Sequence, residues 1–76
     1  MYSVCTYGNG PNAIMVRCDV DACPEKREIT VIVSTYGLGK DNVRKTFPAD
    51  QYGEALDLYD SLCLLAKERY EASQKA

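Results

Sequence analysis

The alternation of hydrophobic and polar residues predicts four β-strands in the first two thirds of the chain. The strands are expected at residues 2–7, 13–21, 28–36 and 42–47. Between them lie segments rich in glycine, proline, asparagine and charged residues, which are typical of turns. Neighbouring strands joined by short turns pair antiparallel, so the pattern predicts a four-stranded meander.

After Pro48 the hydrophobic residues recur at spacings of three and four, which predicts a helix over about residues 49–72. Its hydrophobic arc consists of Tyr52, Ala55, Leu56, Leu58, Tyr59, Leu62, Cys63, Leu65, Ala66 and Tyr70. The predicted fold class is therefore α+β. A single domain over residues 1–76 is expected, with the four-stranded antiparallel meander followed by one long C-terminal helix packed on one sheet face.

One helix covers only one face of such a sheet, so the other face is open to solvent or to a partner. The alternation predicts that this open face presents Met15, Arg17, Ile32, Tyr36 and Arg44. Aromatic residues, methionine and arginine are enriched at the centres of protein interfaces. A one-residue change of register would exchange the two faces.

The side of the helix opposite its hydrophobic arc is the second candidate surface. It carries Asp57, Asp60, Leu64, Glu68 and Glu71. A leucine surrounded by carboxylates suits docking onto a basic surface that has an apolar pocket. Single exposed leucines are also common on protein surfaces and need no functional explanation.

The charge balance bears on the class of partner. Nine Lys and Arg residues stand against eleven Asp and Glu residues, a net charge of −2. Nucleic-acid binders usually have a basic excess, because phosphate neutralisation supplies much of their affinity. The sequence does not favour direct nucleic-acid binding, and it favours a protein or ribonucleoprotein partner with a basic surface.

The N-terminal residues, Met1 to Cys5, include neither a basic segment nor a long apolar stretch, so no signal peptide is expected. The longest apolar run, residues 62–66, is far shorter than the roughly 20 residues that a membrane span requires. We therefore expect a cytoplasmic protein that is not inserted in a membrane. Cysteine thiols are reduced by default in that compartment.

Several catalytic chemistries are disfavoured. The chain has no histidine, which removes Ser-His and Cys-His nucleophile pairs. Asp19 and Asp21 share one face of a predicted strand, where carboxylates usually serve solubility. The segment 37–40, Gly-Leu-Gly-Lys, is followed by a strand rather than by the helix that a phosphate-binding loop needs. No enzymatic activity and no cofactor are predicted.

The four cysteines do not have the spacing of a zinc site. Structural zinc sites use close Cys pairs separated by two to four residues, and here only Cys18 and Cys23 lie near one another. No metal site is predicted. Cys18 and Cys63 are expected to be core thiols.

One local resemblance concerns fold. Residues 45–48, Lys-Thr-Phe-Pro, leading into residues 54–60, Glu-Ala-Leu-Asp-Leu-Tyr-Asp, resemble the last strand and helix of APETALA-type DNA-binding domains and of phage integrase arm-binding domains. The resemblance covers about a third of the chain and implies a related sheet-and-helix fold. Those domains dock a basic sheet into the major groove, whereas this sheet offers only Arg17 and Arg44, with acidic residues nearby.

A second resemblance is one of class. A very short, acidic chain of strands and one helix, without an active site, is similar to the small inhibitors that phages and mobile elements encode, including anti-CRISPR proteins. That resemblance implies a non-enzymatic protein-binding module that blocks a host nucleic-acid-binding effector complex. Two alternatives remain: a nucleic-acid-binding regulator that uses the sheet around Arg17, Arg44 and Lys45, and a homodimeric structural or adaptor protein.

Overall fold

The computed structural model of the chain describes residues 2–74, and for Tyr2 and Cys23 the backbone only. Its main elements are β1 (Tyr2–Tyr7), β2 (Ile14–Cys23), β3 (Glu28–Tyr36), β4 (Arg44–Pro48) and α1 (Tyr52–Gln74). The strands form one antiparallel sheet in the order β1-β2-β3-β4, and α1 packs on one face of it. The predicted fold class is confirmed.

The core lies between α1 and the inward-facing residues of the sheet. Because successive strand residues point to opposite faces, buried residues alternate with less buried ones in the part of β2 from Ile14 to Cys18 and in β3 at Val31 and Val33. The buried residues are Ile14, Val16, Cys18, Val31, Val33, Leu38 and Phe47 from the sheet and its turns, and Ala55, Leu62 and Ala66 from α1. The alanines allow the helix backbone to approach the central strands closely.

The boundaries differ from the predicted ones where polar residues take part in regular structure. β2 continues to Cys23, because Asp21 and Ala22 still pair with Thr30 and Ile29 of β3. At the other end of the chain, a short 3-10 turn over residues 49–51 precedes α1. The helix therefore begins at Tyr52 rather than near residue 49.

The β2–β3 hairpin projects beyond the rest of the sheet. β1 pairs with β2 only as far as Asp19, and β4 pairs with β3 only as far as Thr30. Ile29 is two residues from the buried Val31 and therefore lies on the same face of β3. Ile29 is nevertheless 52% exposed, because it lies beyond Thr30, the last residue of β3 that pairs with β4.

The hydrophobic arc of α1 agrees with the predicted one except at the beginning of the helix. Tyr52, the first helical residue, is 40% exposed and is not part of the buried core. Within residues 2–74, no helix combines the length and the apolar character needed to cross a lipid bilayer.

Candidate functional site

The outer face of α1 carries a continuous row of exposed side chains, which we call the acidic strip: Asp57, Asp60, Leu64, Glu68 and Glu71. At 100° per residue these positions fall within an arc of about 80° and span about 21 Å along the helix axis. Leu64, at the centre, is 58% exposed. The strip is thus an apolar centre with two carboxylates on either side.

Within α1 only Lys67 and Arg69 offset the carboxylates. Arg69 points toward the turn that follows β3, where its guanidinium binds the carboxylate of Asp41 at 3.0 Å. Its charge is therefore partly neutralised away from the acidic strip. The five positions of the strip carry four carboxylates and no cation.

The acidic strip also costs some helix stability. Asp57 and Asp60 are three positions apart on the helix, and so are Glu68 and Glu71. Like charges at that spacing repel one another. Glu68 and Glu71 lie near the C-terminal end of α1, where the helix dipole disfavours negative charge. The last turn of α1, up to Gln74, contains no basic residue that would compensate.

The open sheet face carries a groove of about 500 Å³ on the side away from α1. Its lining residues come from β2, β3, β4 and the turn before β4: Met15, Arg17, Ser34, Thr35, Tyr36, Asn42, Val43 and Arg44. Tyr36 is 71% exposed. Two guanidinium groups, one phenol and one thioether thus surround a single depression, and none of these lining residues is acidic.

The two arginines of the groove differ in their surroundings. Arg17 forms a salt bridge at 3.3 Å with Asp19, two residues along the same strand face. Arg44 is exposed, and within residues 2–74 it forms no salt bridge. Arg44 is therefore the less compensated of the two cations.

One wall of the groove is held in place by side chains that form hydrogen bonds with backbone amides. The side-chain oxygen of Asn42 accepts hydrogen bonds from the Leu38 amide at 2.9 Å and from the Thr35 hydroxyl at 3.2 Å. The Thr35 oxygen in turn accepts a hydrogen bond from the Val43 amide at 2.7 Å. These bonds hold the turn against β3 and bring Asn42 and Val43 to the rim of the groove.

The predicted open-face residues share one sheet face, as expected from the alternation, but they do not all reach the groove. Four of the five line it: Met15, Arg17, Tyr36 and Arg44. Ile32 is opposite Asp19 and Thr46, in the next row of the sheet. Lys45 lies on the other face, where its ammonium group is 5.2 Å from the centre of the Phe47 ring. Lys45 therefore does not join Arg17 and Arg44 in the groove, because adjacent strand residues point to opposite faces.

Thr35, Asn42 and Val43 were not anticipated as groove residues. Asn42 and Val43 belong to the segment that links β3 and β4, and Thr35 lies near the end of β3. Their side-chain and backbone hydrogen bonds to one another hold that segment against the strand. The sequence signal that could have indicated them is the Asn at position 42, since asparagine commonly bonds to neighbouring backbone groups in turns.

The three described cysteines have different environments, and all are free thiols. Cys18 is buried, as predicted for a core thiol, and burial raises its pKa. Cys63 is only half-buried, and desolvation by burial raises its pKa to about 12. Among residues 2–74, no group of three or more potential ligand side chains is placed to hold a metal ion.

The structure thus presents two candidate binding surfaces of opposite charge: the acidic strip on α1 and the arginine-containing groove on the open sheet face. No protein-family model, no curated protein and no solved structure matches this chain.

Proposed function

We propose that this protein is a non-enzymatic binding module that docks its acidic strip onto a basic surface of a protein or ribonucleoprotein. The observation that carries the proposal is the exposed Leu64 at the centre of four carboxylates. Interface centres combine a buried apolar anchor with a polar rim. Leu64 supplies the anchor, and Asp57, Asp60, Glu68 and Glu71 supply a rim that selects a basic partner.

The partner class is a nucleic-acid-binding effector complex whose nucleic-acid groove this module blocks. The acidic strip is about 21 Å long, which is about the axial length of six base pairs of duplex DNA. Carboxylates arranged along such a length can occupy the lysine and arginine sites that bind phosphates. Proteins of this kind are encoded by phages and mobile elements, anti-CRISPR proteins among them, and act in the cytoplasm of the host.

Reversing charge in the acidic strip is expected to abolish capture of the partner. Tagged wild-type protein and the double variant Asp57→Lys, Asp60→Lys are incubated with nuclease-treated bacterial lysate, and the retained proteins are quantified by mass spectrometry. We expect at least one nucleic-acid-binding complex to be retained by the wild type and to fall by a factor of ten or more with the variant. Added duplex DNA or RNA should release it, because both ligands compete for one basic groove.

A matched control separates this surface from net charge. The double variant Glu25→Lys, Glu28→Lys makes the same change in net charge in the exposed β2–β3 hairpin, and it should retain the partner. Circular dichroism spectra of all three proteins check that the fold is intact. Equal retention by the three proteins, or retention that nucleic acid does not disturb, would contradict the proposal.

A second candidate function, a nucleic-acid-binding regulator, is favoured by the groove on the open sheet face. Arg17, Arg44 and the exposed Tyr36 offer two cations and one stacking surface, the combination used to bind single-stranded nucleic acid. The acidic net charge opposes this function, because the whole chain repels phosphates.

If the groove binds nucleic acid, Arg44→Glu is expected to weaken binding to fluorescein-labelled single-stranded DNA by tenfold or more. The affinity of the wild type should also fall steeply as salt is raised, because phosphate contacts release counterions. Lys26→Glu, in the β2–β3 turn, makes the same change in charge outside the groove and should bind like the wild type. Fluorescence anisotropy measures all three affinities, and no binding by the wild type at low salt would exclude this function.

A further inference from the structure

The groove and the acidic strip carry opposite charges on one and the same chain. The groove is lined by Arg17 and Arg44, and none of its lining residues is acidic. The acidic strip carries four carboxylates and no cation. Surfaces of opposite charge attract one another across protein interfaces. Each copy of the protein therefore presents a surface and, elsewhere, the electrostatic complement of that surface.

The two arginines of the groove belong to one row across the sheet. Ser34 of β3 is paired with Arg17 of β2 on one side and with Arg44 of β4 on the other. Residues directly opposite one another point to the same face, so the three side chains project together from the open face. Neighbouring strands are about 4.8 Å apart, which puts the Cα atoms of the two arginines about 10 Å apart. The small Ser34 side chain lies between them.

The acidic strip has a matching order of groups. Asp60, Leu64 and Glu68 follow one another at intervals of four residues along the exposed side of α1. At 1.5 Å per residue, Asp60 and Glu68 are about 12 Å apart along the helix axis, and Leu64 is midway between them. An apolar side chain between two carboxylates on the helix thus corresponds to a small residue between two guanidinium groups on the sheet, at a similar spacing.

We propose that one copy of this protein lays its acidic strip across the groove of a second copy. Leu64 of the first copy lies over Ser34 of the second, where Met15 and Tyr36 of the adjacent row supply apolar contact. The carboxylates on either side of Leu64 bind the two arginines. This self-association needs no foreign partner, and it goes beyond the proposed function.

The contact joins two unlike surfaces and does not produce a symmetric pair. The groove is on the sheet face away from α1, whereas the acidic strip is on the side of α1 away from the sheet. A copy that receives a strip in its groove still presents its own strip on the opposite side of the molecule. Contacts of this head-to-tail kind add further copies rather than closing into a two-fold dimer.

The association is expected to be weak and sensitive to salt. One helix face on one sheet face makes a small interface, of the size found in transient complexes. Arg17 already shares its charge with Asp19 at 3.3 Å, so Arg44 supplies most of the attraction. Exposed charges are screened over about 8 Å at physiological ionic strength and over shorter distances at higher salt.

The test is sedimentation equilibrium of the purified full-length protein, with dithiothreitol present to prevent disulfides between copies. At low salt and a protein concentration of about 1 mM, we expect the average mass to be about twice the monomer mass or more. Dilution should return the average mass to that of the monomer. Raising sodium chloride to about 0.5 M should do the same, because the charges of the two surfaces are then screened.

Two variants each remove one of the two surfaces and leave the other intact. The double variant Asp60→Lys, Glu68→Lys reverses the carboxylates of the strip, and Arg44→Ala removes the main cation of the groove. Each variant alone should remain monomeric under the conditions in which the wild type associates. An equimolar mixture of the two should form a one-to-one heterodimer and nothing larger, because each pair retains one intact strip and one intact groove. The heterodimer would also show that both variants are folded.

Matched controls make the same changes in charge away from the two surfaces. Glu25→Lys, Glu28→Lys changes the exposed β2–β3 hairpin, and Lys45→Ala removes the cation next to Arg44 on the other face of β4. Both should associate like the wild type. The proposal is overturned if the wild type stays monomeric at low salt, if either surface variant associates like the wild type, or if their mixture does not pair. No foreign partner takes part in these measurements, so their outcome is independent of the proposed function.

Discussion

Replacing Gly37 by alanine is expected to destabilise the protein by about 3 kcal/mol, from positive-φ strain together with overpacking. Gly37 follows β3 with φ of 89°, a region that residues with a side chain rarely adopt. An added Cβ would also lie 2.3 Å from the carbonyl oxygen of Ala13 and 3.1 Å from the Cα of Ile14. Both neighbours are backbone atoms, so no side-chain rotation can relieve the contact.

Such a loss is large for a chain of 76 residues. Domains of this size have a total stability of roughly 4–11 kcal/mol. Urea denaturation followed by circular dichroism would measure the change in the free energy of unfolding.

Gly39→Ala is the matched control for this prediction. Gly39 also has a positive φ, of 60°, but no atom lies within 4 Å of the position of an added Cβ. Only the conformational cost applies, so we expect a loss of about 1 kcal/mol. Equal losses in the two variants would show that the close approach of Gly37 to Ala13 contributes nothing.

The sheet and the helix could be predicted because their patterns are long and regular. In β2, Ile14, Val16 and Cys18 face inward while Met15 and Arg17 face outward, and the observed burial follows this alternation. A strand buried on one face has only one register that places its apolar residues in the core. The same reasoning places the acidic strip on the exposed side of α1.

Departures from the prediction occur where a side chain's environment depends on how far its neighbours extend. Ile29 continues the alternation of β3 but lies beyond the paired residues of β4, and Tyr52 begins α1 at the edge of the core. Leu38 is buried although it lies in a turn between two glycines. The periodicity of one segment carries no information on where the next element ends.

The contacts that define one wall of the groove are made by side chains of the turn before β4. Asn42 reaches the groove through hydrogen bonds to Leu38 and Thr35. These bonds join the turn before β4 to β3 and to the preceding turn, and the hydrophobic periodicity of the chain carries no information on them.

Leu62 and Leu64 are only two positions apart in α1, and truncating each to alanine should have opposite consequences. Leu62 is 7% exposed and packs against the sheet. Leu62→Ala removes buried methyl groups and leaves a cavity, and it should lower the free energy of unfolding by about 3 kcal/mol. In a domain of this size the corresponding decrease in Tm is about 12 °C or more, measured by thermal denaturation with circular dichroism.

Leu64→Ala should leave the free energy of unfolding within about 0.5 kcal/mol of the wild type, because most of the Leu64 side chain already contacts water. If Leu64 is the apolar anchor of the acidic strip, the variant should nevertheless lose most of its capture of the basic partner. The pair of variants thus separates folding from binding within one turn of α1. A Leu64→Ala protein that is as stable as the wild type and binds equally well would show that the carboxylates act without an apolar anchor. A Leu64→Ala protein as unstable as Leu62→Ala would show that the outer face of the helix is covered in the folded protein.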